Sequence, residues 1–339
     1  MKEVSVEEAV GEVLAHDITE IKRGVRKGPA FKKGHIIKEE DIPKLLDLGK
    51  KHVFVIENGE DRVHENEGAS RLADLAQGEG LERTEPEEGK INLKSSRRGL
   101  LKVDDRGLKN LNMHTQVMMA TAPNNMPVEK GDKVAGTRII PLLIDEEKLI
   151  EVENAAGDKP ILEVKPFYGL KTAIITTGTE VYEGRIEDEF SEVIESKIED
   201  VGGKVIYSDI KPDIKEEIEG TIEKGLNSGA ELVICTGGMS VDPDDVTGEA
   251  IESTADEIVT YGAPVLPGAM FMLAYVGDVP LIGLPACAMF SKTTIFDLVL
   301  PRLSAGEKIT ATEIAELGHG GLCLDCRICR YPACSFGKC

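Results

Sequence analysis

From Leu170 onward the chain alternates short apolar runs with amphipathic helical stretches, the rhythm that a parallel sheet with crossover helices requires. Three of those runs end in turns built of small residues. Lys171 to Ile175 opens into Thr176-Thr177-Gly178-Thr179-Glu180, Glu231 to Cys235 into Thr236-Gly237-Gly238-Met239-Ser240, and Val279 to Ile282 into Gly283-Leu284-Pro285. Parallel strands present their carboxyl ends at one rim, so the three turns are expected to converge on one crevice, where open α/β sheets bind ligands. Between them Ile186, Phe190, Val193, Ile194, Ile198 and Val201 fall on one helical stripe ended by Gly202-Gly203. Asp213 is placed to cap a helix carrying Ile214, Ile218, Ile222 and Leu226, and a last helix is expected over about 287–300, stopped by Pro301.

The diglycine turn reads as an anion cradle, because two residues without side chains let successive N–H groups approach an oxyanion near a helix entrance. The segment Asp242-Pro243-Asp244-Asp245-Val246-Thr247 follows at once and would repel a phosphate unless a divalent cation or backbone donors lie between. Mg²⁺ with a phosphorylated ligand satisfies that condition. Taken alone, the same residues also describe an ordinary turn and helix cap.

Composition narrows the choice of ligand. Forty Lys and Arg against 61 Asp and Glu give a formal charge of -21, which disfavours nucleic acid as a partner and requires any phosphate site to be local. With no Trp and 4% aromatic residues, ring stacking is a weak means of recognition. The six histidines are scattered, without metal-ligand spacing or a nucleophile motif. No apolar run is long enough to cross a membrane and Met1-Lys2-Glu3 is not followed by a signal region, so a cytoplasmic, membrane-free protein is expected.

Upstream, helices are expected over Glu7 to Ala15, Asp41 to Gly49 and Glu65 to Gln77, with a strand over His52 to Ile56 and a polar loop from about residue 79 to 90. Strands are expected at Leu100 to Val103, Thr115 to Ala120, Val134 to Leu143 and Leu149 to Val152, with Arg97-Arg98 on a solvated face. The chain thus divides into an α+β or mainly β region over 1–165, a doubly wound, mostly parallel α/β domain over 166–308, and a cysteine-rich tail over 309–339.

Over about 170–305 these motifs resemble the molybdopterin-binding domain shared by molybdenum cofactor biosynthesis proteins of the MoeA, MogA and CinA type. Thr177-Gly178-Thr179-Glu180-Val181, with Gly184 and Asp188 downstream, is similar to the family's first loop. Gly237-Gly238-Met239-Ser240-Val241 with Asp245-Val246-Thr247 resembles its Gly-Gly loop ending in an essential Asp, and Asp213 stands where the family has an acidic residue before its third helix. Pro267-Gly268 and Gly283-Leu284-Pro285 resemble the other two loops. Val6 to Ala15 and Lys33-Gly34-His35 through Leu48-Gly49 are similar to the molybdenumtransferase branch, MoeA.

The resemblance implies a MogA-like fold and adenylated molybdopterin lying across the loops, with Asp245 and Asp213 holding Mg²⁺ or positioning phosphates. It implies Glu180 and Asp188, with Asp245, as carboxylates for proton transfer while molybdate is inserted. A homo-oligomer and a client molybdoenzyme are the implied partners. A cofactor carrier or sensor without turnover, and a CinA-like nucleotide pyrophosphatase, are the alternative readings. The chain departs from the family at Thr179, where MoeA-type proteins carry Asp, at Ala269-Met270, where they carry Lys-Pro, and at Ala286-Cys287-Ala288, where they carry Gly-Asn-Pro. Loss of the lysine removes a cation that molybdate would use. Cys287 is expected to face the crevice and Cys235 to fill a buried strand.

Five of the seven cysteines crowd the end of the chain at Cys323, Cys326, Cys329, Cys334 and Cys339. The run Cys-x2-Cys-x2-Cys argues for a metal centre. A [4Fe-4S] cluster on Cys323, Cys326, Cys329 and Cys334 is the first reading; Zn²⁺, with His319 or Cys339 available, is the second, and a metal-free tail the third.

Overall fold

The computed structural model describes residues 1–22, 26–56, 62–240 and 242–338; Val241 and Cys339 lie outside the described residues. Strands β1 (Lys171–Thr177), β2 (Lys204–Lys211), β3 (Leu232–Thr236), β4 (Glu257–Tyr261), β5 (Met272–Val276) and β6 (Val279–Leu284) form one sheet in the order β2-β1-β3-β6-β5-β4. The β2-β1-β3-β6 part is parallel, and β5 pairs antiparallel with both β6 and β4. Burial from both faces is what makes β1 and β3 unbroken apolar runs rather than alternating ones.

Helices cover both faces. Ile194 and Ile198 of α1 (Phe190–Asp200) pack on one face with α4 (Ile295–Ser304). Ile218 and Ile222 of α2 (Lys215–Asn227) and Ala250 and Ile251 of α3 (Thr247–Thr254) pack on the other. The sheet is therefore doubly wound and mostly parallel, as expected. Among the described residues no helix is long and apolar enough to cross a membrane.

Several local expectations are corrected. Helix α1 begins at Phe190, leaving Ile186 exposed. Asp213 does not cap α2, whose N-cap is the exposed Ile214. The last helix divides into a turn at Cys287–Phe290 and α4, and Pro301 lies inside α4 instead of ending it. Pro301 has no N–H for the carbonyl of Asp297, and the Tyr331 hydroxyl donates to that oxygen instead at 2.7 Å. Residues beyond 308 do not form a separate tail: Ile309, Ile314 and Phe336 belong to the core of the α/β domain, next to α5 (Ala311–Glu316).

The region before residue 166 has two apolar cores. One gathers Val4, Leu14, Phe31, Leu45 and Val53, the other Leu72, Leu93, Leu101, Ile139 and Val164. The helix expected over Glu7 to Ala15 is one 3-10 turn, Val6–Glu8, because Gly11 at φ +88° breaks the path and Val10 faces solvent. Leu149 to Val152 is not a strand but part of a helix, Glu146–Ala156, with two glutamates in its first turn. A second helix not expected from the sequence, Asp105–Asn112, is capped by Asp104, whose carboxylate accepts from the Arg106 amide. The polar stretch near residue 79 contains a short strand, Leu81–Arg83.

Charge ties the second core to the α/β domain. Glu307 accepts from Lys102 at 2.7 Å and Lys165 at 3.2 Å with one oxygen and from Arg302 at 2.9 Å with the other, while Arg302 also reaches Glu313. The Arg302 and Glu307 side chains are only 7% and 10% exposed. Burial pushes the Glu307 carboxyl up, but the hydrogen bonds from Lys102 and Arg302 outweigh it and bring Glu307 down to about 2. Its contribution to stability is therefore complete above its ordinary value of 4.5 and is lost as pH falls towards about 2. Replacement Glu307→Gln leaves Lys102 and Lys165 without their carboxylate partner and Arg302 with Glu313 alone, and is expected to cost about 3 kcal/mol in urea unfolding at neutral pH. The difference from the parent should shrink on acidification through pH 4; a difference independent of pH would show that the carboxylate charge is not what holds the contact.

Candidate functional site

Register places the loops at one level. Thr176 of β1 pairs with Thr236 of β3, and Thr236 pairs with Leu284 of β6, so the turns after all three strands leave the sheet side by side. They border a cavity of about 1010 Å³ that Thr177, Gly178, Thr179, Glu180, Asp213, Gly237, Gly238 and Asp245 line together. Eight of the residues singled out in the sequence thus meet in one hollow.

The two glycines of the second loop serve packing as well as access. Gly237 sits at φ +87°, and a Cβ there would come within 2.1 Å of the Thr177 carbonyl oxygen. At Gly238, φ +53°, a Cβ would come within 2.5 Å of the Thr247 hydroxyl. Behind them the Thr177 hydroxyl donates to Thr236 O at 3.0 Å and lies 2.8 Å from the Thr247 hydroxyl. The first reason for the glycines is therefore contact between loops, which the cradle reading alone does not include.

Asp213 fastens the first loop. Its Oδ2 accepts from the Thr179 amide at 2.8 Å and the Thr179 hydroxyl at 3.1 Å, while the Gly178 amide donates to Lys211 O at 3.1 Å. Thr179 can make that bond because it is neutral and carries a donor; an aspartate there would face Asp213 with like charge. Asp245 steadies the second loop, accepting from the Ser240 amide at 3.0 Å.

Other expected site residues lie elsewhere. Asp188 is tied down as a cap of α1: Oδ1 accepts from the amides of Phe190 and Ser191, and Oδ2 from the hydroxyls of Thr176 and Ser191. Met239 is 2% exposed. Its thioether lies where a Cβ on Gly283 would have to go, so both pack beneath the loop. Leu284 is core, Pro285 is half-buried outside the lining, and Ser240 is exposed and takes part through its amide. Pro267 borders a different cavity and Gly268 packs on Ile295. Cys287 does not line the acidic hollow, and burial pushes its thiol up; burial also raises Cys235 to about 12.

Residues not assigned to the site from the sequence complete the wall. Glu187, Glu189, Asp242 and Asp244 add carboxylates; Ile186, Phe190, Ala286 and Met289 add apolar surface. Among the described residues the lining holds seven carboxylates and no Lys, Arg or His. Nor do any three His, Cys, Asp or Glu side chains among the described residues form a group that could hold a metal ion unaided. The donor set still fits Mg²⁺ in one respect, since that ion is commonly held by one or two carboxylates together with ligand phosphates.

Residues 173–305 match the model of a family described as a probable molybdopterin binding domain. Residues 3–57 match a domain of unknown function. A molybdopterin molybdenumtransferase of Haemophilus influenzae is 28% identical over 151 residues, covering 42% of this chain and 37% of the relative. A molybdopterin adenylyltransferase of Pyrococcus furiosus is 30% identical over 92 residues, 27% of this chain and 54% of that protein. A CinA-like protein of Amoebophilus asiaticus is 30% identical over 133 residues, 39% of this chain and 30% of that protein. The chain thus spans about a third to a half of the length of these relatives. The crystal structure of the molybdopterin biosynthesis enzyme MoaB from Thermus thermophilus aligns over 41% of this chain and 98% of its own, at 19% identity and a TM-score of 0.36.

Substitution Gly237→Ala tests the loop contact. Both the positive φ and the overlap with Thr177 O oppose a methyl group, and a loss of about 2–3 kcal/mol is expected. A urea midpoint equal to the parent's would mean that the two loops do not approach as described.

Proposed function

We propose that the acidic hollow binds the phosphorylated end of adenylated molybdopterin through Mg²⁺, and that the protein acts in molybdenum cofactor biosynthesis at the step where molybdate enters the pterin. The observation that carries this reading is the joint lining of one cavity by the first loop, Asp213, the diglycine turn and Asp245, in a domain of the molybdopterin-binding type. A phosphate near seven carboxylates meets strong repulsion: two like charges 4 Å apart at a protein surface cost about 4 kcal/mol. A divalent cation between them reverses the sign, so binding is metal-dependent by electrostatics alone.

Each aspartate has one oxygen committed to a loop amide, Asp213 to Thr179 and Asp245 to Ser240. The other oxygen of each is the one available to Mg²⁺. These residues thereby couple ion binding to loop position. Bound Mg²⁺ would supply charge neutralisation for the phosphates. Glu180 lines the hollow, whereas the lone pairs of Asp188 are engaged at the start of α1. Proton transfer while an oxo ligand of molybdate leaves as water therefore falls to Glu180, not Asp188.

A second reading, a carrier that binds cofactor without turnover, is favoured by one observation. Ala269 occupies the position of the family lysine, and no cation lines the cavity among the described residues. The two are separated by incubating the protein with adenylated molybdopterin, molybdate and Mg²⁺. Molybdate-dependent AMP release supports insertion, AMP release without molybdate indicates a pyrophosphatase, and tight binding without AMP release indicates the carrier.

Removing Mg²⁺ with a chelator should weaken adenylated molybdopterin binding at least about 100-fold, since the about 4 kcal/mol of a single carboxylate–phosphate repulsion corresponds to about 1000-fold. Asp245→Asn should lower affinity about 10-fold or more and flatten the Mg²⁺ titration measured by calorimetry. Unchanged affinity and Mg²⁺ response in that variant would remove Asp245 from the site.

A further inference from the structure

Cys323, Cys326, Cys329 and Cys334 line a single cavity of about 260 Å³, on the far side of the Cys287–Phe290 turn from the acidic hollow. Met289 faces the acidic hollow, while Phe290 and Thr293 face the cysteines. The segment bearing these cysteines is closed at both ends. The Leu266 amide donates to Gly321 O and the Cys323 amide to Leu266 O, each at 2.8 Å, and the Gly337 amide donates to Gly320 O at 2.9 Å. Tyr331 holds Asp297 O, and Phe336 is buried in the domain core.

Between these anchors the chain forms no helix, and Leu324 and Ile328 are 69% and 71% exposed. A loop with so little apolar burial of its own calls for a covalent or metal cross-link to fix its shape. We propose that the four thiolates ligate a [4Fe-4S] cluster in this cavity.

One feature favours a cluster over one zinc ion. Zinc–sulfur bonds of about 2.3 Å gather four sulfurs around a single point. Among the described residues no group of three or more side chains is gathered in that way. The four cysteines instead line one cavity, which an iron–sulfide cube could occupy while keeping its cysteine sulfurs apart.

The charge also fits. A thiolate-ligated cluster is anionic, and Lys292 and Arg330 line this cavity against Asp325, in a chain of net charge -21 whose other hollow has no cation among its described lining. The Thr293 hydroxyl lies 3.2 Å from Cys329 Sγ, placed to donate to a ligand sulfur. Phe290, Leu324 and Phe336 contribute apolar surface to the wall. On loading, each thiol releases its proton as its sulfur bonds iron. A loaded site would brace 290–293, which follows directly on Met289 at the acidic hollow.

The test uses the full chain, reconstituted anaerobically with equal amounts of ferrous and ferric iron and with sulfide, which together reach the [4Fe-4S]²⁺ level without a further oxidant, and then desalted. About four iron and four sulfide per chain, with broad visible absorption that dithionite bleaches, are expected for a four-cysteine site. Cys326→Ser and Cys329→Ser should each lose most of the iron and the visible band, whereas Cys287→Ala retains both. Hydrogen exchange on the parent, with and without reconstitution, covers the case in which a variant fails to fold: amides of 322–336 should gain protection on loading. One zinc per chain that iron does not displace, disulfides among the four cysteines in the anaerobic protein, iron no higher than in the quadruple serine variant, or unchanged exchange over 322–336 would each overturn the assignment.

Discussion

The pairing of β1 with β3 and of β3 with β6 sets everything that happens at the rim of the sheet. Because Thr176, Thr236 and Leu284 stand in one register row, the chain leaves three strands at the same height, and residues more than a hundred positions apart become neighbours. A parallel sheet fixes this register through crossover helices, whose apolar stripes can bury themselves in only one setting. The loops then lock to one another and to the strand ends. Gly237 rests on the Thr177 carbonyl, the Thr177 hydroxyl meets Thr247, and Asp213 holds Thr179. A hollow results whose walls are short and mutually braced, the form of preorganisation that lowers the ordering cost of binding.

Two adjacent cavities of opposite chemistry share one short turn. The acidic hollow offers hard oxygen donors and repels anions; the cysteine cavity offers soft sulfur donors with two cations beside them. Neither gathers three donors into a ready cage among the described residues. That fits centres in which the incoming group brings part of its own coordination: phosphate oxygens around Mg²⁺ in one, sulfide around iron in the other. The Cys287–Phe290 turn separates them by a single residue step, Met289 to Phe290, so a change in packing on one side is felt on the other.

Much of the α/β domain could be read from residue order because its signals are local or doubly determined. Strands β1 and β3 announce themselves as apolar runs since both faces are covered, and Ile194 with Ile198, or Ile218 with Ile222, mark helices by spacing alone. What could not be read depends on contacts distant in sequence. Asp213 resembles a helix cap by position, yet the register of β2 beside β1 carries it to Thr179. Met239 belongs to a loop motif but is drawn under it by the space that Gly283 leaves. Leu149 to Val152 illustrates a different failure: four apolar-rich residues cannot distinguish strand from helix, and the flanking Glu146 and Glu147 carried the missing information.

Pro301 shows most directly why the cysteine-bearing segment is integral to the domain. A proline seven residues into a ten-residue helix withdraws the N–H that the Asp297 carbonyl would otherwise receive, and leaves that oxygen in partly buried surroundings. An orphaned carbonyl of this kind costs about 1–3 kcal/mol. The Tyr331 hydroxyl offsets that cost, and Tyr331 lies between Cys329 and Cys334. The helix thus depends on the segment for a hydrogen bond, while the segment depends on the helix for an anchor. Asp297 adds to the mutual hold: its carboxylate caps α4 through Thr294 and pairs with Lys197 of α1. The cysteine segment is thus joined directly to α4 and, through Asp297, to α1, and α1 reaches the acidic hollow at Phe190.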